Sequence, residues 1–69
     1  MGSLAERVKY YRLQQQLSVR DLAKRANVSV SYVYAIESGS RGHNIVKLER
    51  IAKALGVSLS TLWGEDHRP

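Results

Sequence analysis

The chain contains no cysteine, so disulfide staples and thiolate metal sites are both excluded. It contains no apolar run near the roughly 20 residues that a membrane span needs. Its first residues also lack the apolar core of a signal peptide, so a cytoplasmic protein without membrane contact is expected. The materials of catalysis are scarce too. The two histidines fall in a loop and in the tail, the six carboxylates are scattered, and no histidine pair or phosphate-cradling glycine loop occurs. Catalysis requires a convergent set of titratable groups, so the chain is not expected to be an enzyme. It is expected to need no metal, no cofactor and no small-molecule ligand. Acid is the scarcer charge: six Asp+Glu stand against eleven Lys+Arg, for a formal net charge of +5. That balance favours a polyanionic partner, but many small basic domains never touch nucleic acid.

What is present is enough for one small core. The chain has 69 residues, of which 43% are hydrophobic and 25% charged, values close to globular averages. A domain of this size buries only about 60% of the surface its unfolded chain exposes. No strand-like alternation, internal repeat or low-complexity tract appears. The sequence divides instead into five helices, each with its own start and stop signals, and the fold class is all-α.

The first helix is expected over about residues 3–16. Ser3 and Glu6 have capping-box spacing, and Leu4, Val8 and Tyr11 form an inward stripe. Ser18 and Asp21 offer a second cap, followed by Val19, Leu22, Ala23 and Ala26, with Asn27 as a residue that tolerates the left-handed C-cap. Ser29 caps a third helix that turns Val33 and Ile36 inward and stops at Gly39. Asn44 caps a fourth, whose apolar positions are Ile45, Leu48, Ile51, Ala52 and Leu55, stopped by Gly56. Ser58 opens a last short helix carrying Leu59, Leu62 and Trp63. Residues 1–64 are expected to be the domain, with 65–69 a tail or the start of a linker.

Residues 19–38 carry a more specific pattern. Two helices joined by so short a turn cross steeply. The crossing needs a small residue (Ala23), a turn residue of unusual backbone (Asn27), a plug (Val28) and two anchors (Val33, Ile36). Those are the demands of a helix-turn-helix. Over residues 4–63 the chain resembles the Xre family, the lambda-repressor-like helix-turn-helix domains of phage repressors and bacterial regulators. The residues that carry the resemblance are Val8 and Arg12, Leu17 to Ala23, Val28 to Val33, Ile36-Glu37-Ser38-Gly39, Leu48, Ile51 to Ser58, and Leu62. Ile36-Glu-x-Gly39 and Ala52-x-Ala54-Leu55-Gly56-Val57 are its most specific parts. The chain departs from the family at Val19, where glutamine is frequent, at His43, where proline is frequent, and at Asn27, where glycine is frequent.

The resemblance implies a compact five-helix lambda-repressor-like domain whose helix 29–38 enters the major groove of a double-stranded DNA operator. It also implies a transcriptional regulator of the repressor type, acting as a homodimer on a (pseudo)palindromic site. On that helix Val30, Ser31, Tyr34 and Ala35 lie on one face at helical spacing. They are short or hydroxylic and uncharged, which suits close approach to base edges. Without Gln, Asn or Arg there, shape and water-mediated readout are expected to weigh more. An ordinary half-exposed helix is the alternative. Phosphate contacts are expected from Arg20, Ser29, Tyr32, Ser38, Ser40, Arg41, His43 and Asn44, with Lys47 beside them. The family implies that Arg12 and Glu37 form a buried ion pair, consistent with the fact that a carboxylate facing DNA would repel phosphate. Leu59, Leu62 and Trp63 either close the core or contribute to a dimer interface. The rival functions are a protein-interaction module on the same fold and an antitoxin or autoregulator of a small operon.

Overall fold

A computed structural model of the chain describes residues 3–39 and 44–63. Along them run five α-helices: α1 (Leu4–Gln14), α2 (Val19–Ala26), α3 (Val30–Glu37), α4 (Ile45–Leu55) and α5 (Leu59–Trp63). No strand occurs among the described residues. Each helix begins where a side chain takes up an amide that the helix leaves unpaired. Ser3 Oγ accepts from the Glu6 N–H at 3.3 Å, Ser29 Oγ from Tyr32 at 3.0 Å, Asn44 Oδ1 from Lys47 at 3.1 Å and Ser58 Oγ from Thr61 at 3.1 Å. At α2 the exchange is reciprocal: Ser18 Oγ accepts from the Asp21 N–H, and the Asp21 carboxylate accepts from the Ser18 N–H, both at 3.0 Å. All five expected caps are in use.

Three helices end in the same way. After α1, α2 and α4 the chain places Gln16 (φ 58°), Asn27 (φ 60°) and Gly56 (φ 75°) in the left-handed region. The following residue donates its N–H back five positions: Leu17 to Arg12, Val28 to Ala23 and Val57 to Ala52, at 3.0–3.1 Å. Leu17, Val28 and Val57 then pack on the core, which is the hydrophobic contact that accompanies a Schellman motif. Asn27 and Gly56 were expected to serve here, but Gln16 was not. For that reason α1 stops at Gln14 rather than near residue 16. The Gln15 side chain also donates to the Leu55 carbonyl at 2.7 Å, tying the end of α1 to the end of α4.

The core is one cluster: Val8, Leu22, Ala23, Ala26, Val33, Ile36, Leu48, Ile51, Ala52, Leu55 and Leu62. Ala23 is 2% exposed where α2 meets α3, as the steep crossing requires. One expectation needs correction. Ile45 has the phase of the inward stripe of α4 but is 52% exposed, because it stands in the first turn, ahead of the buried Leu48, Ile51, Ala52 and Leu55. Leu62, read either as core or as part of a subunit interface, is fully buried and belongs to the core.

Candidate nucleic-acid interface

Helix α3 has two faces with no side chain in common. Val33 and Ile36 are buried, whereas Tyr34 is 60% exposed, Val30 and Ser31 are exposed and Ala35 is half-buried. The uncharged stripe read from the sequence is therefore a real surface. Val30–Glu37 contains no lysine, arginine or histidine, and its one charge is Glu37. That charge is turned inward. Arg12 Nε donates to Glu37 Oε2 at 2.7 Å and Arg12 Nη2 donates to Oε1 at 3.0 Å, a bidentate pair whose side chains are 10% and 9% exposed. Arg12 Nη1 also donates to the Leu17 carbonyl at 2.8 Å, so one guanidinium fixes the end of α3 and the turn after α1 together. The hydrogen bond to Glu37 holds the Arg12 pKa above its ordinary value, outweighing burial, which acts the other way. The ion pair implied by the family is present. It leaves α3 with no negative side chain on its exposed face.

Positive charge stands on other helices rather than on α3. Arg20, Lys24 and Arg25 lie on α2, which packs against α3, and Lys47, Arg50 and Lys53 on α4, so six of the eleven basic residues stand on those two helices. Arg20, Asp21, Ala23, Lys24, Val28 and Val30 line an open cleft of about 360 Å³ between α2 and the start of α3. The expected phosphate residue Arg20 and the expected base-reading residue Val30 thus share one depression. Lys24 was not among the residues expected from the sequence. Its signal was available, because it stands four positions after Arg20 on the same helical face. Asp21 in the same cleft is occupied by its cap: hydrogen bonds from Ser18 lower its pKa, with smaller contributions from Arg25 and Lys24.

The other expected phosphate residues divide into groups. Ser29 and Asn44 are exposed N-caps whose oxygens are engaged with their own helices, leaving a hydroxyl proton and an amide NH2 available as donors. The Ser38 hydroxyl donates to the Ala35 carbonyl at 3.0 Å, so its proton is used within the helix. The Tyr32 hydroxyl is shielded from solvent; it lies by the Asn44 backbone but closes no well-formed hydrogen bond. Its burial raises the Tyr32 pKa, against a smaller opposing effect of the Asn44 backbone. The Lys47 ammonium sits over the Tyr32 ring, 5.1 Å from its centroid. Ser40, Arg41 and His43 lie outside the described residues. Val19, where the family often has glutamine, packs against the core.

On another side of the molecule Ile45, Leu59, Ser60 and Trp63 line an open, mainly apolar groove of about 530 Å³. Val46 next to it is 58% exposed. Leu59 and Trp63 are half-buried there, so of the three candidate interface residues these two remain at the surface. No group of three or more His, Cys, Asp or Glu side chains is placed to hold a metal ion among the described residues, and none of their helices is long and apolar enough to cross a membrane.

Comparison with known proteins agrees with this geometry. The immunity repressor protein of Bacillus phage phi105 is 34% identical over 64 residues, covering 93% of this chain and 44% of that protein. The HTH-type transcriptional regulator SinR of Bacillus subtilis is 34% identical over 65 residues, covering 93% and 59%. This chain therefore spans about half the length of those two curated relatives. Among solved structures, SinR in complex with DNA, described as the master regulator for biofilm formation, superposes with a TM-score of 0.83 at 34% identity, covering 88% of this chain and 98% of that one. The helix-turn-helix family model matches residues 8–62, and the chain belongs to that family, the Xre or lambda-repressor-like helix-turn-helix proteins.

Proposed function

We propose that this chain is a sequence-specific, double-stranded-DNA-binding transcriptional regulator that represses by occupying a (pseudo)palindromic operator as a dimer. One observation carries the proposal: the exposed face of α3 is uncharged, its only carboxylate is tied inward to Arg12, and the cations stand on α2, which packs against α3, and on α4. An N-terminal α3 face of this kind fits a major groove, with backbone phosphates reached from the flanks. The relatives support it, one being a phage immunity repressor and another a regulator solved on DNA. In this arrangement Ser31 and Tyr34 offer hydroxyls to base edges, and Val30 and Ala35 pack on thymine methyls. Arg20, Ser29 and Asn44 meet phosphate, joined by Ser40, Arg41 and His43 from the loop before α4. The apolar groove of Ile45, Leu59 and Trp63 pairs the subunits, which sets the two α3 helices about 34 Å apart. Residues 1–64 form the DNA-binding unit and 65–69 a tail or the start of a linker. The protein works in the cytoplasm, with no catalytic chemistry.

The test is selection from a randomised duplex library at about 0.1–0.15 M salt, where non-specific phosphate binding is weakened. A palindrome with half-sites about ten base pairs apart is expected. An isolated half-site would support DNA reading and refute dimeric occupancy. No enrichment by a folded protein would overturn the proposal in favour of a protein-interaction module.

A further inference from the structure

Tyr32 and Lys47 occupy matching places in their helices. Each is the third residue of its helix, and each gives its backbone N–H to that helix's cap, Ser29 for Tyr32 and Asn44 for Lys47. Their side chains meet across the junction, with the Lys47 ammonium 5.1 Å from the centroid of the Tyr32 ring, inside the range of about 6 Å for a cation–π contact. The ring packs against the core and its hydroxyl is shielded from solvent, so the tyrosine is a fixed platform. A lysine on the first turn of an exposed helix otherwise samples many rotamers.

The electrostatics of this place are unfavourable for a cation by itself. Helix N-termini carry partial positive charge, and this ammonium belongs to the first turn of α4. No carboxylate pairs with Lys47 among the described residues. Asn44, which caps the same turn, presents its amide on the surface. An external anion is the partner that would balance this concentration of positive charge.

From this geometry we infer that Lys47 contacts a DNA phosphate and that Tyr32 positions it, so that Tyr32 acts on DNA through the lysine and not through its own hydroxyl. The inference rests on the DNA-binding function proposed above. It also replaces the sequence-based expectation that Tyr32 itself touches phosphate. The raised pKa of Tyr32 is consistent with it, because the ring under the ammonium stays neutral at working pH.

The experiment measures binding of the full chain to a labelled mixed-sequence duplex of about 30 base pairs between 50 and 200 mM salt. One phosphate contact contributes about 0.9 to the salt slope. Relative to wild type, Lys47→Met should therefore lose about 0.9 of slope, and the wild-type advantage should shrink about 3.5-fold across that salt range. Tyr32→Phe keeps the ring and should keep the slope. Tyr32→Leu should weaken binding, and adding Lys47→Met to it should cost less than Lys47→Met costs alone. An unchanged slope in folded Lys47→Met overturns the lysine's role. Additive effects in the double variant, or Tyr32→Phe behaving like Tyr32→Leu, overturn the positioning role. A second readout does not depend on Tyr32→Leu folding. In the free protein the ring current should shift the Lys47 side-chain protons upfield, and unshifted protons would refute the platform. A wild-type protein without salt-dependent duplex binding would overturn the DNA-binding function itself, and this inference with it.

Discussion

Replacing Glu37 with glutamine changes almost no volume and removes one charge from a nearly dry pair. Two unit charges about 4 Å apart attract by about 4 kcal/mol at an effective dielectric near 20. The cost of desolvating both groups offsets much of that in the intact pair, so its net contribution is small. The asymmetry appears when one partner goes: Arg12, 8% exposed, stays buried and charged without its counter-ion. Such a loss costs about 3–5 kcal/mol. At about 0.05–0.15 kcal/mol per residue, a chain of 69 residues has only about 3.5–10 kcal/mol of stability in all. Glu37→Gln should therefore remove a third or more of it and lower Tm by at least about 12 °C. Urea titration followed by helical circular dichroism, with Trp63 fluorescence as a second probe, measures this. The double variant Arg12→Met/Glu37→Leu should recover most of the loss, since apolar residues can replace a buried pair at little cost. A loss below about 1 kcal/mol in Glu37→Gln, or a double variant as unstable as the sum of the singles, would show that the pair is not the tie between α1 and α3 described here.

Further outcomes follow from the helix ends and the core. Gln16→Gly should stabilise the protein by up to about 1 kcal/mol in the same titration, because the left-handed backbone at Gln16 (φ 58°) strains any residue with a Cβ; a loss of stability would mean that the side chain makes a contact that matters. Leu62→Ala should cost about 2–5 kcal/mol, whereas Leu59→Ala should cost clearly less and act on self-association measured by sedimentation. Ser18→Ala should cost about 1 kcal/mol at neutral pH. The folded pKa of Asp21 is lowered, so its share of that capping is present above the unfolded value of about 3.9 and disappears as pH falls through the folded one. A pH titration of helix content should show wild type losing its advantage over Asp21→Asn only in that acid window.

The parts of the fold legible in the sequence are those settled within a few residues. A cap and its amide are three positions apart, and a helical stripe repeats every three or four, so the five starts and most of the core could be read directly. Gln16 was missed because glutamine has no particular preference for the left-handed region; its backbone is dictated by what Leu17 must reach. Ile45 had the correct phase on α4, but phase gives direction and not cover, and the residue is 52% exposed. The Arg12–Glu37 pair joins residues 25 apart in sequence, beyond any local pattern, and was reached only through family resemblance. The candidate interface was legible in outline: α3 as the presented helix, Arg20 and Asn44 beside it. The fate of individual hydroxyls was not, since whether Ser38 or Tyr32 presents its O–H to solvent depends on a carbonyl or a neighbouring helix that spacing does not reveal.

The separation of faces on α3 also bears on how such a protein changes over generations. Val33 and Ile36 hold the helix to the core, while Ser31 and Tyr34 stand largely in solvent and Val30, 36% exposed, lies at the edge between the two faces. Substitutions at Ser31 and Tyr34 should therefore weigh little on folding, whereas those at Val33 and Ile36 act first on the core. A lineage can explore new targets at positions 31 and 34 without passing through unstable intermediates. A laboratory library randomised at those positions should consist largely of folded members.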